Sequence, residues 1–372
     1  MRLCSLTLRG FRNYEEATAE FSPGINVISG RNAQGKTNLL EAVYMLCGAR
    51  SFRTRTDREL IGFDREEAAI FAEVFAAERT QQIEIYLRRG GKKQIFRNKS
   101  RKNGSELSES VKAVLFCPDD LDLIREGAGA RRRLLDLAIC QLRPGYARLI
   151  SDYARASENK LRILRDYRED PAMLDTLDEF SDTMARLSAK IIRYRASFAR
   201  RLAAAAAPIH AEFSGRNEEL FAEYRTVSTV TDPMASEQTL YEEICEHQRA
   251  HRAAELASGS CLTGVHKDDL EISINGRSAR AYASQGQTRT AALSLKLAER
   301  EIFLDDSGEA PILLLDDVLS ELDAQRQDFV LNRIGGGQTL ITCCEDARIA
   351  EKTGGRVLLV EGGEIRVPAS GQ

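Results

Sequence analysis

The stretch "ISGRNAQGKTNLLEAV" at Ile28–Val43 constrains this chain more than any other. A short apolar run leads into two glycines five residues apart, then Lys36, Thr37 and an apolar-patterned helix. Gly30, Arg31, Asn32, Ala33, Gln34, Gly35, Lys36 and Thr37 satisfy G-x-x-x-x-G-K-[ST] in its required context, after a strand and before a helix. In such a loop the backbone N–H groups and the helix N-terminus surround the β and γ phosphates of a nucleotide. Lys36 adds a point charge, and the Thr37 hydroxyl ligates Mg2+. The unit belongs to an open sheet with helices against it, so the predicted fold class is α/β.

A phosphate loop needs an acidic partner for the metal, at the C-terminal end of a neighbouring buried strand. "PILLLDDV" supplies it: Asp316 is placed to hold Mg2+, directly or through water, and Asp317 is the candidate general base for the attacking water. A third element, "ASQGQTRT", puts Ser284, Gln285, Gly286 and Gln287 at the start of an apolar-patterned helix, again an anion-binding geometry. Alone it also reads as a helix cap. The chain already has its own phosphate loop, so the natural ligand of this signature is a γ-phosphate held by another copy. "LSELD" follows the acids, with Asp323 placed to cross a dimer interface.

With 372 residues and 43% apolar content the chain can bury one large core or two smaller ones. Residues 1–117 read mostly as strands, with "RGGKK" as a hairpin turn. After Pro118 and as far as about His251 the sequence turns Ala-, Arg- and Glu-rich with helical periodicity. Within it Met173, Leu177, Phe180, Met184, Leu187, Ile191, Tyr194 and Phe198 form a heptad stripe, starting just after Pro171. Two packed antiparallel helices account for it, and an intermolecular coiled coil is the alternative. After Gly264 the strand–helix alternation resumes and closes on the hairpin "RVLLVEGGEIRV". The expected organisation is therefore a head split between 1–117 and 262–372, with a β-rich N-terminal lobe, and a helical domain inserted at 118–261.

Arg2 and Arg9 near the start, and the absence of any run of 18 apolar residues, predict neither a secretion signal nor a membrane span. The eight cysteines are scattered without a C-x-x-C pair, which fits a reduced, cytoplasmic protein. His266 in "GVHKDD" is a poor match to metal-ligand spacing and is read as structural or as part of an interface. Cys343 and Cys344 read as buried strand thiols.

Taken together, "LRGFRNY", "GRNAQGKTNLLEA", "RTDREL", "FCPDDL", "RRRLLD", "GVHKDD", "ASQGQTRT" and "LLLDDVLSELD" resemble, in order and over nearly the whole chain, the RecF family in the SMC-like branch of ABC ATPases. The resemblance implies an ABC/SMC-type ATPase head with ATP and Mg2+ as cofactors and ATP-dependent homodimerisation. It also implies binding to double-stranded DNA at gaps, and action with RecR and RecO in loading RecA. Asp317 stands where the general ABC pattern has Glu, one methylene longer, and "ITCCED" offers Thr342 rather than a histidine sensor of the γ-phosphate. Both departures favour a slow switch over a fast motor. The competing readings are the nucleotide-binding subunit of another ABC-type system, and a scaffold that binds nucleotide without hydrolysing it.

The net charge of −3 gives no bulk reason to expect nucleic acid, so a DNA surface must be local. Arg131 to Arg168 carries ten basic residues against four acidic, and Arg186 to Arg201 carries six against none. Candidate DNA contacts are Arg131, Arg132, Arg133, Arg193 and Arg195, with Arg53 in a second patch that also holds Arg50 and Arg55. A solvated helix face, or for Arg53 a salt bridge or a nucleotide contact, is the alternative. There is no aromatic-interleaved stacking motif, so duplex or junction shape is the expected feature read.

Overall fold

The computed structural model describes residues 1–54, 56–344 and 347–368. Arg55 lies outside the described residues. The chain divides into two compact units, Met1–Asp120 with Lys296–Gln372, and Leu121–Leu295.

The first unit opens with strands β1 (Arg2–Phe11), β2 (Tyr14–Glu20) and β3 (Ile25–Ser29), then helix α1 (Lys36–Met45). β4 (Glu67–Ala76), β5 (Arg79–Arg88), β6 (Gln94–Arg97), β7 (Ser100–Lys102) and β8 (Ala113–Phe116) complete its first half. β4 alternates as a half-buried strand does, with Ala68, Ile70, Ala72, Val74 and Ala76 inward. It belongs to an antiparallel sheet ordered β2-β1-β4-β5-β6-β7.

The second unit carries helices α2 (Ala128–Leu142), α3 (Tyr146–Asp166) and α4 (Leu177–Phe213), strand β9 (Leu220–Arg225), helix α5 (Glu237–Ser258) and strands β10 (Asp269–Ile274) and β11 (Arg277–Ser278). The regular stripe lies on α4 and the short 3-10 turn before it; Leu177, Met184, Ile191 and Phe198 are buried. α3 and α4 run antiparallel. Ile163 and Leu164 cluster with Leu177 and Phe180, while at the other end Tyr146 and Tyr194 meet edge to face at 5.2 Å.

Two sequence expectations are corrected here. "LFAEYR", inside the stretch read as helical, is strand β9. It pairs antiparallel with β10 from Leu220↔Ile274 to Arg225↔Asp269, and this long-range ladder draws residues 262–295 into the second unit rather than the head.

Helix α6 (Gln285–Ser307) begins in the second unit and ends in the first, where β12 (Ile312–Leu315), α7 (Ala324–Arg333), β13 (Thr339–Cys343), β14 (Arg356–Glu361) and β15 (Glu364–Arg366) follow. The second sheet of the first unit is ordered β15-β14-β3-β13-β12-β8, parallel throughout except for the β14–β15 hairpin. β12 and β13 are buried along their whole length, as solidly apolar parallel strands must be. β3 sits inside this sheet, between β13 and β14, so the loop after it leaves from the sheet's C-terminal edge, where ligands collect in α/β folds. Among the described residues no helix is long and apolar enough to cross a membrane.

Candidate functional site

Gly30–Thr37 wraps from β3 into α1. Glycine is required at both of its ends. A Cβ on Gly30 would sit 2.2 Å from the Val360 carbonyl oxygen, and Gly35, at φ +117, would drive one to 2.6 Å from the Asn13 amide. Helix geometry leaves the first amides of α1 without intrahelical partners, pointing into the loop. Lys36 is 4% exposed and its ammonium donates to the carbonyls of Gly30 (2.7 Å) and Arg31 (3.2 Å), folding back over the loop.

The loop is braced by residues that pattern reading passed over. Asn13 Nδ2 donates to the Gln34 carbonyl (2.8 Å) and Tyr14 OH to that of Gly35 (2.8 Å), while the Gly362 N–H donates to Gln34 Oε1 (2.7 Å). "LRGFRNY" owes part of its character to this brace. Arg12 grips the buried Glu41 of α1 with two hydrogen bonds, 2.9 and 2.8 Å.

Thr37 and Asp316 lie 279 positions apart in sequence, and their side chains meet at 3.0 Å. β12 delivers Asp316 buried at its C-terminal end; its amide donates to the Phe116 carbonyl of β8 (2.9 Å). Burial pushes the Asp316 carboxyl above the usual range, and hydrogen bonds from Thr342 and Thr37 pull the other way. Asp317 is half-buried with φ +53, a left-handed backbone for a non-glycine residue. Arg53 donates to Asn38 Oδ1 at the start of α1 (2.7 Å), lies 3.8 Å from Glu41, and its charge favours ionised Asp316. It therefore stands beside the start of α1 and Asp316.

The two thiols of "ITCC" part company. Cys343 is buried on β13, whereas Cys344 is exposed, with Sγ 3.6 Å from the Lys36 ammonium and 2.8 Å from Asn32 Oδ1. Sequence reading gave both the same buried role; the end of β13 between them decides otherwise.

In the second unit Ser284 and Gln287 form a reciprocal cap: Gln287 N–H donates to Ser284 Oγ (3.2 Å) and Ser284 N–H to Gln287 Oε1 (2.8 Å). The cap leaves Ser284 and Gln285 exposed and Gly286 half-exposed at the N-terminus of a 23-residue helix. Gln287 also donates to Glu218 (2.8 Å). Asp323 has a use within its own chain, capping α7 by accepting from the Arg326 amide (2.9 Å).

The arginine candidates for DNA separate sharply. Arg131, 4% exposed, holds Asp269 with two 2.7 Å hydrogen bonds and donates to the carbonyls of Leu123 and Glu126. Arg195, also 4% exposed, holds Asp136 with two 2.8 Å bonds and donates to the Val265 carbonyl (2.7 Å). Both are structural, and the expectation that they face DNA is corrected. Arg132 is half-buried and donates to the Asp268 carbonyl (2.6 Å). Arg133 and Arg193 are exposed, the latter 3.7 Å from Glu237. His266 packs against Tyr153, whose hydroxyl is 2.8 Å from Nδ1, and burial lowers its pKa; its role is structural.

The chain matches the family model of the RecF/RecN/SMC N terminal domain over residues 2–354. The DNA replication and repair protein RecF of Listeria welshimeri is 40% identical over 361 residues, 95% of each chain. That of Acetivibrio thermocellus is 36% identical over 346 residues, 93% of this chain and 94% of its own. A solved structure of the recombination mediator protein RecF with ATP, in the RecFOR pathway, is similar at a TM-score of 0.91 and 33% identity, over 99% of this chain and 97% of that one. The Smc head domain from Pyrococcus furiosus, at 16% identity and a TM-score of 0.56 over 98% and 95% of the two chains, shares the fold. Matched by the family model over nearly its whole length and 40% identical to a RecF protein over 95% of it, the chain belongs to the RecF family of DNA replication and repair proteins, built on the SMC-like ABC ATPase head.

Proposed function

We propose that this protein is an ATP-gated DNA-binding switch. ATP enters the Gly30–Thr37 loop, two copies close on two nucleotides, and the closed dimer grips double-stranded DNA at single-strand gaps. There it acts with RecR, RecO and RecA in recombinational repair and replication restart. The observation that carries the reading is the convergence of Lys36, Thr37 and Asp316 at the C-terminal edge of one parallel sheet, Thr37 and Asp316 touching at 3.0 Å. Mg2+ ordinarily takes one or two protein carboxylates and completes its shell with phosphate oxygens and water. Asp316 and Thr37 fit that donor set and would hold it, and the metal would neutralise charge on the phosphates.

Asp317 is the candidate base, and its short side chain makes hydrolysis slow. Single-turnover hydrolysis is expected below about 10 per second. The signature residues Ser284–Gln287, with Asp323, serve the nucleotide of the other copy; the exposed N-terminus of α6 is placed to meet an anion. For DNA, the exposed Arg186, Lys190, Arg193 and Arg200 of α4 lie four, three and seven positions apart, one face of one helix. They replace the buried Arg131 and Arg195 as the working contacts.

The shared-site reading makes an unusual demand. Lys36→Met disables the loop and Ser284→Arg blocks the signature, so each variant alone is inactive as an ATPase. A mixture of the two forms heterodimers in which one nucleotide site has both an intact loop and an intact signature. Mixing is expected to restore hydrolysis that neither variant has alone; a mixture as inactive as its components would remove the shared site.

A further inference from the structure

Thr342 is 1% exposed on β13, beside the end of β12, and its hydroxyl both accepts and donates. Its oxygen accepts from the Asp317 amide at 2.8 Å, and its proton goes to Asp316 Oδ1, also at 2.8 Å. Thr37 donates to that same Oδ1 at 3.0 Å. Both hydroxyls therefore meet one oxygen of the carboxylate, and Oδ2 is the oxygen left for a metal ion or its water. Asp317 sits at φ +53, which side chains other than glycine seldom adopt and which Asp and Asn tolerate best. The Thr342 oxygen ties down that residue's amide, while Ser320 Oγ donates to its carbonyl at 2.6 Å.

We infer that Thr342 is a positioning residue for hydrolysis: one hydroxyl sets the rotamer of the metal-holding Asp316 and the backbone of Asp317 together. Valine has nearly the same shape but neither donates nor accepts, so Thr342→Val leaves the strand packed and releases both acids at once. Serine restores the hydroxyl without the methyl. The inference goes beyond the proposed function and rests on one part of it, that nucleotide and metal occupy the Thr37–Asp316 site.

The test compares wild type, Thr342→Val, Thr342→Ser and Lys36→Met. For each, Mn2+ affinity is measured by electron paramagnetic resonance with a non-hydrolysable ATP analogue, alongside kcat, KM and the melting curve. Thr342→Val is expected to weaken Mn2+ and lower kcat, each by about 10- to 100-fold, as loss of a residue that orients a metal ligand does. KM and affinity for the analogue in EDTA are expected to stay within about threefold, since Lys36 and the loop amides are untouched. Thr342→Ser is expected near wild type. Thr342→Val with unchanged Mn2+ affinity and kcat would overturn the inference, as would Thr342→Ser as impaired as Thr342→Val, which would assign the effect to the methyl. Should Thr342→Val lose its cooperative melt, Thr342→Ala takes its place against Thr342→Ser under the same two criteria. A wild type whose Mn2+ binding does not depend on the analogue, or matches that of Lys36→Met, would instead strike the nucleotide–metal reading itself.

Discussion

Lys36→Met weakens ATP binding by roughly 10- to 100-fold while leaving the melting temperature within about 2 °C of wild type. The first half follows from what the ammonium does. It reaches over the phosphate loop to the carbonyls of Gly30 and Arg31, so it is already desolvated and aimed where phosphate oxygens arrive. A hydrogen bond to a charged partner contributes about 1.5–3 kcal/mol, which is that range in affinity. The second half follows from what it does not do. Its hydrogen-bond acceptors are the carbonyls of Gly30 and Arg31 and, at 3.6 Å, the Cys344 sulfur, none of them a charged partner, and methionine has a similar length and buries without needing partners. Titration calorimetry with ATP and a thermal melt on the same sample check both halves. Intact affinity would remove Lys36 from the phosphate site; a melt lowered by 10 °C would make it a structural residue.

Arg195→Met has the opposite profile, a large loss of stability. Its guanidinium makes a fork to Asp136, donates to the Val265 carbonyl and lies 3.6 Å from Asp268. Tyr146 donates to the same Asp136, and Tyr224 to Asp268. Burial opposes the charge on Arg195, but the Asp136 carboxylate more than offsets it, and the guanidinium is held more firmly protonated than usual. Around it, burial pushes Asp268 up to about 7, against the pull of Tyr224, Arg195 and Arg132. Removing the cation leaves the Asp136 and Asp268 carboxyls without the buried partner they share. Breaking a buried ion pair in this way costs about 3–5 kcal/mol, a fall in melting temperature on the order of 10 °C. Arg193→Met, two residues away and exposed, is expected to change stability by less than about 0.5 kcal/mol. Circular dichroism melts of the two variants compare them directly; equal effects would contradict the placement of Arg195.

These two residues also mark how far the sequence could be read. The nucleotide site was legible because its chemistry fixes residue types at short range: G-x-x-x-x-G-K-T needs only its own strand and helix, and "ILLLDD" is a buried strand ending in acids. In the structure the two come together, Thr37 against Asp316. The helical stripe was legible for a similar reason, since periodicity is local. Charge runs were not. Arg131 and Arg195 sit among exposed arginines, and nothing local records that Asp269 and Asp136, from distant positions, fold onto them. β9 was missed because its pairing partner, β10, lies some fifty residues downstream (Leu220↔Ile274), and with it went the boundary between the units. Asn13, Tyr14 and Thr342 act by holding backbone or carboxylate groups contributed by other segments. Such support is visible only after the strands are placed.

Nucleotide is expected to close a dimer, and the dimer to hold DNA. The direct measurement is binding to gapped duplex DNA with no nucleotide, with ADP and with ATP, for wild type and Lys36→Met, with mass by light scattering on the same samples. Tight binding by a dimer that forms only with ATP, and is lost in Lys36→Met, is the predicted result. DNA binding indifferent to nucleotide, or a monomer that stays a monomer in ATP, would rule out the ATP-gated switch.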